Sequence, residues 1–209
     1  KSFEVLIMIN ITREKLLKAS IAGVLSTITI GFLTLLTYKT TIGLFLAASF
    51  GSSMVLLYGF PESPFAQPKN IFFGHFLTAL IGILFVNYVD LPIFINIALA
   101  VGFGIFFMIV LDVVHPPAGG NPIMVIIGGV SFEYLINPII FGCLIILIFG
   151  IILISISSFL GGTDATAKLW ESSASFIAVI LITTFIIWMI KHGSKIKHHI
   201  ENKATLNLS

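Results

Sequence analysis

Residues 93–130 read IFINIALAVGFGIFFMIVLDVVHPPAGGNPIMVIIGGV and determine what kind of fold the chain can adopt. The apolar run 93–114 is long enough to cross a bilayer as one helix, which takes about 20 residues. Pro116 and Pro117 end that helix, because each proline removes a backbone donor and clashes with the preceding turn. The apolar run that follows, 123–130, spans only about half of a bilayer. The stretch therefore predicts a spanning helix, a break and a short helix.

The composition of the whole chain agrees with a membrane location. Of its 209 residues, 57% are apolar and 10% are charged, and the mean hydropathy is +1.11. A soluble domain carries about 25% charged residues, because its surface faces water. The net charge of +2 arises largely from basic residues near the two ends, which gives no indication of a nucleic-acid partner. We therefore predict an all-α, polytopic transmembrane helical bundle that is embedded in the lipid bilayer.

Further apolar segments predict additional crossings at 19–38, 42–58, 71–89, 138–160 and 172–190. The second of these is marginal in length and is interrupted by Gly51-Ser52-Ser53. Lys and Arg favour the cytoplasmic side, so two basic ends predict two cytoplasmic termini and an even number of crossings. Six crossings result if 118–130 is re-entrant, and seven result if it spans.

The two interrupted segments resemble each other. FGSSMVLLYG, residues 50–59, can be aligned with GGNPIMVIIG, residues 119–128, and in each case small or polar residues open a short apolar helix. A pair of short, interrupted segments in matching positions points to a transporter binding site. Chance alignment of two apolar runs is the alternative explanation, so an internal repeat is a hypothesis.

The stretch 112–122 is the strongest candidate for a binding site. Pro116 and Pro117 suit the first turn of the next helix, where a missing N–H costs nothing. Gly119 and Gly120 allow the backbone to approach a ligand, and the free N–H groups at a helix start attract anions. His115 adds a titratable donor, and Asn121 adds a neutral donor and acceptor. The alternative is a proline-capped turn at the membrane surface.

Three further groups of residues are weaker candidates. Gly51, Ser52 and Ser53 could face the same cavity, or they could serve close helix packing, for which small residues are favoured. His75 lies one turn inside its helix, where an ionisable side chain suggests function, although an interfacial position is the alternative. Gln67 and Asn70 belong to the proline-rich loop PESPFAQPKN, residues 61–70, and could simply be solvated.

Other kinds of chemistry have no support in the sequence. Cys143 is the single cysteine, which excludes an internal disulfide and a Cys-rich metal site. No paired carboxylates lie in the apolar segments, and no phosphate-binding glycine loop is present. We therefore expect no enzymatic activity, no cofactor and no metal.

Two of these stretches resemble the HPP family of integral membrane proteins. GSSMVLL (51–57), PESPFAQPKN (61–70) and Gly74-His75 are similar to the first signature of that family, and HPPAG (115–119) matches the motif that names it. The resemblance covers about residues 16–160, which implies an HPP-type domain at 1–160. Residues 161–209 then add a polar loop, one more helix and a basic cytoplasmic tail. Gly120-Asn121-Pro122 departs from the Ala-Thr-Ala-like residues that the family pattern leads us to expect.

Members of this family occur in bacteria and in plant chloroplasts, and the chloroplast and cyanobacterial-type members are linked to nitrite transport. The resemblance therefore implies a transporter or channel for a small inorganic anion, with nitrite as the best single guess, in a bacterial inner membrane. A protonated histidine would also couple uptake to a proton gradient. A carrier for a weak acid or a cation, and a membrane anchor or sensor without transport, are the alternatives. Homo-oligomerisation would shield the loose backbone ends of the short segments.

Overall fold

The computed structural model describes residues 12–40 and 44–159, with side chains up to residue 157. The chain divides into two compact units, Lys1–Leu169 and Trp170–Ser209, and every described residue belongs to the first. The helix predicted at 172–190 and the basic tail after it lie outside the described residues. The same is true of the first eleven residues.

The described residues form helices and irregular segments without any β-strand. The six α-helices are α1 (Arg13–Lys39), α2 (Ser49–Met54), α3 (Pro68–Tyr88), α4 (Ile93–Val110), α5 (Asn121–Gly128) and α6 (Phe141–Phe159). Short 3₁₀ turns (Pro64–Ala66 and Pro116–Gly120) and π-helical turns (Val55–Gly59 and Leu135–Ile140) lie between them. The predicted all-α fold is confirmed.

Among the described residues, four stretches of helix are long and apolar enough to cross a membrane, namely Arg13–Lys39, Pro68–Tyr88, Ile93–Val110 and Leu135–Ser157. The other two helices, α2 and α5, have six and eight residues. At a rise of about 1.5 Å per residue, neither α2 nor α5 alone can cross a bilayer. The prediction of a helical membrane bundle with two short helices is therefore confirmed.

The largest differences from the predicted helix boundaries occur in α1, α2 and α4. α1 begins at Arg13 rather than at residue 19, because the Thr12 side chain accepts a hydrogen bond from the Lys15 N–H and caps the helix. In the second segment, which was predicted from residue 42, residues 44–48 are not helical and α2 begins at Ser49. α4 ends at Val110 rather than at residue 114, because Asp112 has a left-handed backbone with φ of 53°.

The hydroxyl side chains of α1 show how polar residues are tolerated in an apolar helix. Each of four hydroxyls donates to the carbonyl four residues earlier, at 2.7 to 3.0 Å: Ser26, Thr27, Thr29 and Thr34. This bonding satisfies the hydroxyl within its own helix. Large apolar side chains remain exposed on the same helix, for example Leu35 at 53%. Exposed apolar side chains of this size are unfavourable in contact with water and favourable in contact with lipid, so this face of α1 fits a lipid environment.

α3 is the helix against which the two interrupted parts of the chain pack. Gly82 of α3 allows α5 to come close, since a Cβ at this position would lie 2.9 Å from the Cα of Pro122. Gly74, two turns earlier, lies against the stretch that carries His115. These two contacts bring the predicted binding stretch 112–122 alongside His75, which is also on α3.

Candidate functional site

The two short helices meet at their first residues. Ser49 opens α2 and Asn121 opens α5, and the Ser49 hydroxyl donates to the Asn121 side-chain oxygen at 2.7 Å. These residues are 72 positions apart in the chain. Both are buried, with exposed fractions of 7% and 1%. The junction of α2 and α5 is therefore a polar contact inside an apolar protein.

His75 lies beside this junction and connects its parts. The Nδ1 atom of His75 is 3.0 Å from the Asn121 side-chain nitrogen, and its Nε2 atom is 2.9 Å from the Ser53 hydroxyl. The Phe50 ring stands edge-on to the imidazole, with 5.1 Å between the ring centroids. Polar contacts at both nitrogens and an aromatic contact with Phe50 thus hold the His75 ring in place.

His115 completes the cluster from the other side of Ser53. Its Nε2 atom is also 2.9 Å from the Ser53 hydroxyl, and its Nδ1 atom donates to the backbone oxygen of Phe65 at 2.7 Å. Its ring centroid is 4.9 Å from that of His75. Gly74 leaves the space for His115, because a Cβ on Gly74 would lie 2.8 Å from the Cβ of His115.

We call this group the histidine cluster; its members are Ser49, Ser53, His75, His115 and Asn121. Ser53, His75 and His115 have no exposed surface. A buried polar group without a partner costs free energy, and here every member has at least one hydrogen bond. Such a network is stable as a whole and sensitive to the loss of any member.

The chemistry of the histidine cluster is that of neutral donors and acceptors. It contains two hydroxyls, two imidazoles and one amide, and it has no carboxylate. Among the described residues, no group of three or more His, Cys, Asp or Glu side chains could hold a metal ion. The cluster therefore offers neutral donors and acceptors to a small polar solute or a proton, but it lacks the carboxylates that most hard-cation sites include.

The loop before α3 covers the histidine cluster and is tied to the 112–115 stretch. The Asn70 side-chain nitrogen donates to the Val114 carbonyl at 2.8 Å. Lys69 and Asp112 form an ion pair at 2.9 Å on the exposed side. The Gln67 side chain donates to the Ser63 carbonyl at 3.3 Å, within the loop itself. Of the two predicted loop residues, Asn70 bonds to the stretch before His115, and Gln67 bonds only within the loop.

The other predicted site residues lie away from the hydrogen bonds of the histidine cluster. Gly51 and Ser52 are exposed. Gly51 lines an open groove of about 640 Å³ between α1 and α2, together with Ser26, Thr27, Ile30, Gly31, Thr34, Met54 and Val55. Pro116 and Gly119 line a cavity of about 280 Å³ with Ile105, Met108, Ile109 and Val114. Pro117 and Gly120 belong to the 3₁₀ turn between His115 and Asn121. A binding role for these residues stays a prediction.

Sequence reasoning missed two side chains at this site. Ser49 lies four residues before Ser53, so a helix places both on one face. Thr78 lies three residues after His75, and its hydroxyl accepts from the Asn121 side-chain nitrogen at 3.0 Å. The helical spacing from residues already singled out was the signal that could have identified both.

Comparison with known proteins places the chain among membrane proteins. Residues 10–159 match the model described as HPP, transmembrane region. Residues 132–209 also match the model of the iron permease FTR1 family, a match that covers less than half of the chain and falls mainly outside the described residues. No solved structure matches the chain.

Two relatives come from Dictyostelium discoideum, and each is described as a transmembrane protein. The first is 34% identical over 110 residues, which cover 49% of this chain and 39% of the relative. The second is 33% identical over 130 residues, which cover 57% of this chain and 42% of the relative. The chain thus spans about two fifths of the length of these relatives. The family match covers well over half of the chain, so the protein belongs to the HPP family of transmembrane proteins.

Proposed function

We propose that the protein transports a small inorganic anion across the membrane, with nitrite as the first substrate to test. The observation that carries this proposal is the histidine cluster, at which both short helices begin. Ionisable side chains inside a membrane protein usually mark a substrate or ion pathway. Interrupted helices that meet at a buried polar site are a common construction of transporters.

The chemistry of the histidine cluster favours an anion over a cation. Hydroxyl, amide and imidazole groups can all donate hydrogen bonds to an anion, and no carboxylate is present to repel it. The start of α5 adds the positive end of a helix dipole beside Asn121. The family's link to nitrite supports the choice of nitrite within this class.

The histidine cluster is closed in this structure, because the Ser49 hydroxyl and the Asn121 oxygen are in contact at 2.7 Å. An anion would enter by separating α2 from α5 and replacing that contact. Closed packing also favours a second candidate function, a membrane anchor or sensor subunit without transport. The match to an iron permease family makes a metal cation the substrate alternative.

Flux through the purified full-length protein in liposomes would test the proposal. We expect nitrite uptake well above that of empty liposomes. Ser53→Ala removes the hydroxyl that both histidines share. Because the loss of a buried hydrogen-bond partner costs about 1–3 kcal/mol, we expect nitrite uptake to fall roughly ten-fold or more. Ser52→Ala is the matched comparison, because Ser52 directly precedes Ser53, lies outside the histidine cluster, is exposed and bonds only within α2.

A substrate panel of nitrite, nitrate, chloride, ferrous iron and potassium would identify the class of solute. Uptake of iron or potassium without uptake of any anion would overturn the anion proposal. No uptake of any solute by protein that remains monodisperse after extraction from the liposomes would favour the anchor. Equal flux in Ser53→Ala and the unmodified protein would remove the histidine cluster from the pathway.

A further inference from the structure

The Ser53 hydroxyl has more partners than it has hydrogens. Its oxygen lies 2.9 Å from Nε2 of His75, 2.9 Å from Nε2 of His115 and 3.1 Å from the backbone oxygen of Ser49. A hydroxyl has one hydrogen to donate and two lone pairs with which to accept. The Ser49 oxygen can only accept, so the direction of the two histidine bonds decides where the Ser53 hydrogen points.

The direction of the His115 bond follows from its other nitrogen. Nδ1 of His115 faces the Phe65 carbonyl at 2.7 Å, and a carbonyl only accepts, so Nδ1 carries a hydrogen. A neutral imidazole with its hydrogen on Nδ1 has a lone pair on Nε2. Ser53 therefore donates to His115 when that histidine is neutral.

The direction of the His75 bond is opposite. The Asn121 amide is oriented by the Ser49 hydroxyl, which donates to its oxygen, so its nitrogen faces Nδ1 of His75 at 3.0 Å. The same nitrogen is 3.2 Å from the His75 carbonyl, which only a donor can face. An amide nitrogen has no lone pair with which to accept, so Nδ1 of His75 carries no hydrogen, and Nε2 carries the hydrogen that it donates to Ser53.

These assignments leave one place for an additional proton. We propose that His75, Ser53 and His115 bind one proton, on Nε2 of His115, and that this proton is transported together with the anion. The proton adds to the Nε2 lone pair without breaking a covalent bond. The Ser53 hydroxyl then turns its own hydrogen to the Ser49 oxygen and accepts from both imidazoles. All three atoms around Ser53 stay paired, and no heavy atom has to move.

The surroundings limit this site to one positive charge and provide no counter-ion for it. With 4.9 Å between the two imidazole centroids, a second charge on His75 would be strongly disfavoured. The charged or titratable side chains on the elements around the histidine cluster lie elsewhere: Glu62 and Tyr88 are exposed, Lys69 and Asp112 pair with each other, and Tyr58 bonds to Thr29. None of the described hydrogen bonds or ion pairs brings a carboxylate to His115.

A buried imidazolium without a counter-ion is unstable, so an anion in the histidine cluster and a proton on His115 stabilise each other. Coupling of this kind is reciprocal, because each ligand raises the affinity for the other by the same factor. One proton then accompanies one monovalent anion, and transport carries no net charge. The inference rests on the proposed function, since it assigns the coupling ion to the same site.

Liposomes that contain a pH-sensitive dye would test the inference, with nitrite and nitrate as the probes. Nitrate is included because its acid is fully ionised, so it does not cross bare lipid as a neutral molecule in the way that nitrous acid does. We expect uptake of either anion to acidify the lumen, and a potential set with potassium and valinomycin to leave the rate unchanged. His115→Gln keeps a polar side chain but cannot be protonated, so by the same reciprocity we expect its anion uptake to fall about ten-fold. The anion that still enters should acidify the lumen little.

The outcomes separate the inference from the function on which it rests. Anion uptake that is driven by the potential and leaves the lumen pH unchanged would overturn the coupled proton and keep the anion transporter. Absence of anion uptake would overturn both. Nitrogen NMR of the histidine-labelled, unmodified protein at neutral pH adds a check that needs no variant to fold. It should show the Nδ1–H tautomer for His115 and the Nε2–H tautomer for His75, and the reverse assignment would contradict the proposal.

Discussion

The glycine at position 74 sets how closely α3 approaches His115. A Cβ there would lie 2.8 Å from the Cβ of His115 and 3.1 Å from the Val113 oxygen, so neighbouring atoms would have to move. Gly74→Ala should therefore destabilise the protein by about 1–3 kcal/mol, the usual effect of overpacking. The melting temperature of each protein in detergent would measure this loss of stability.

Gly102→Ala is the control for this prediction. Gly102 lies in α4, and a Cβ at this position meets no atom within 4 Å. Alanine is also the better helix former, so we expect an unchanged or slightly higher melting temperature. Equal melting temperatures for the two variants would show that the close approach at Gly74 does not limit stability.

The residues at the centre of the site could be predicted one by one, but their contacts could not. His75, His115 and Asn121 stood out because polar side chains in apolar surroundings need a reason to be there. The meeting of the two histidines at Ser53, and of Asn121 with His75, depends on the packing of α2 and α3 with the 112–122 stretch, which no local pattern contains. Apart from its helical spacing from Ser53, Ser49 carries no local signal, because a serine in an apolar helix usually bonds to the backbone of its own helix.

At the level of elements, one buried side chain ties the loop 61–70 to the stretch before His115. Asn70 is 7% exposed and donates to the Val114 carbonyl. Asn70→Ala would leave that carbonyl without its partner and should cost about 1–3 kcal/mol of unfolding free energy. Chemical or thermal denaturation in detergent would measure this loss.

The ion pair beside Asn70 provides the comparison. Lys69 and Asp112 connect the same two segments, but their side chains are 55% and 92% exposed. An exposed pair contributes about 1 kcal/mol or less, so Lys69→Ala should destabilise the protein less than Asn70→Ala does. The opposite order would mean that the surface pair, and not the buried amide, fixes the loop.

The length of a helix could be predicted where a long apolar run determines it. The spans around α3 and α4 followed from the apolar runs, and the break at Pro116 followed from the missing donor of proline. The ends of the helices were predicted less well, because they depend on single side chains and turns. Thr12 extends α1 by a cap, and the left-handed Asp112 ends α4 early.

At the level of the whole molecule, contact with lipid depends on the apolar content of many residues together rather than on any single one. The composition was therefore sufficient to predict the membrane bundle. The order of its helices across the membrane needs the structure. α3 runs from the loop 61–70 to the turn at Asp90, and α4 returns to Asp112. The ion pair of Lys69 with Asp112 confirms that the start of α3 and the end of α4 lie together.

Labelling with a membrane-impermeant thiol reagent should reproduce this order. Glu62, Asp90 and Asp112 are all exposed, and each can be replaced singly by cysteine. The native Cys143 is fully buried, so the unmodified protein is the control and should not react. In sealed vesicles of one orientation, we expect Glu62→Cys and Asp112→Cys to share one accessibility and Asp90→Cys to have the other. If Asp90→Cys and Asp112→Cys react from the same side, α4 does not cross the membrane. It would then no longer count among the four membrane-spanning stretches.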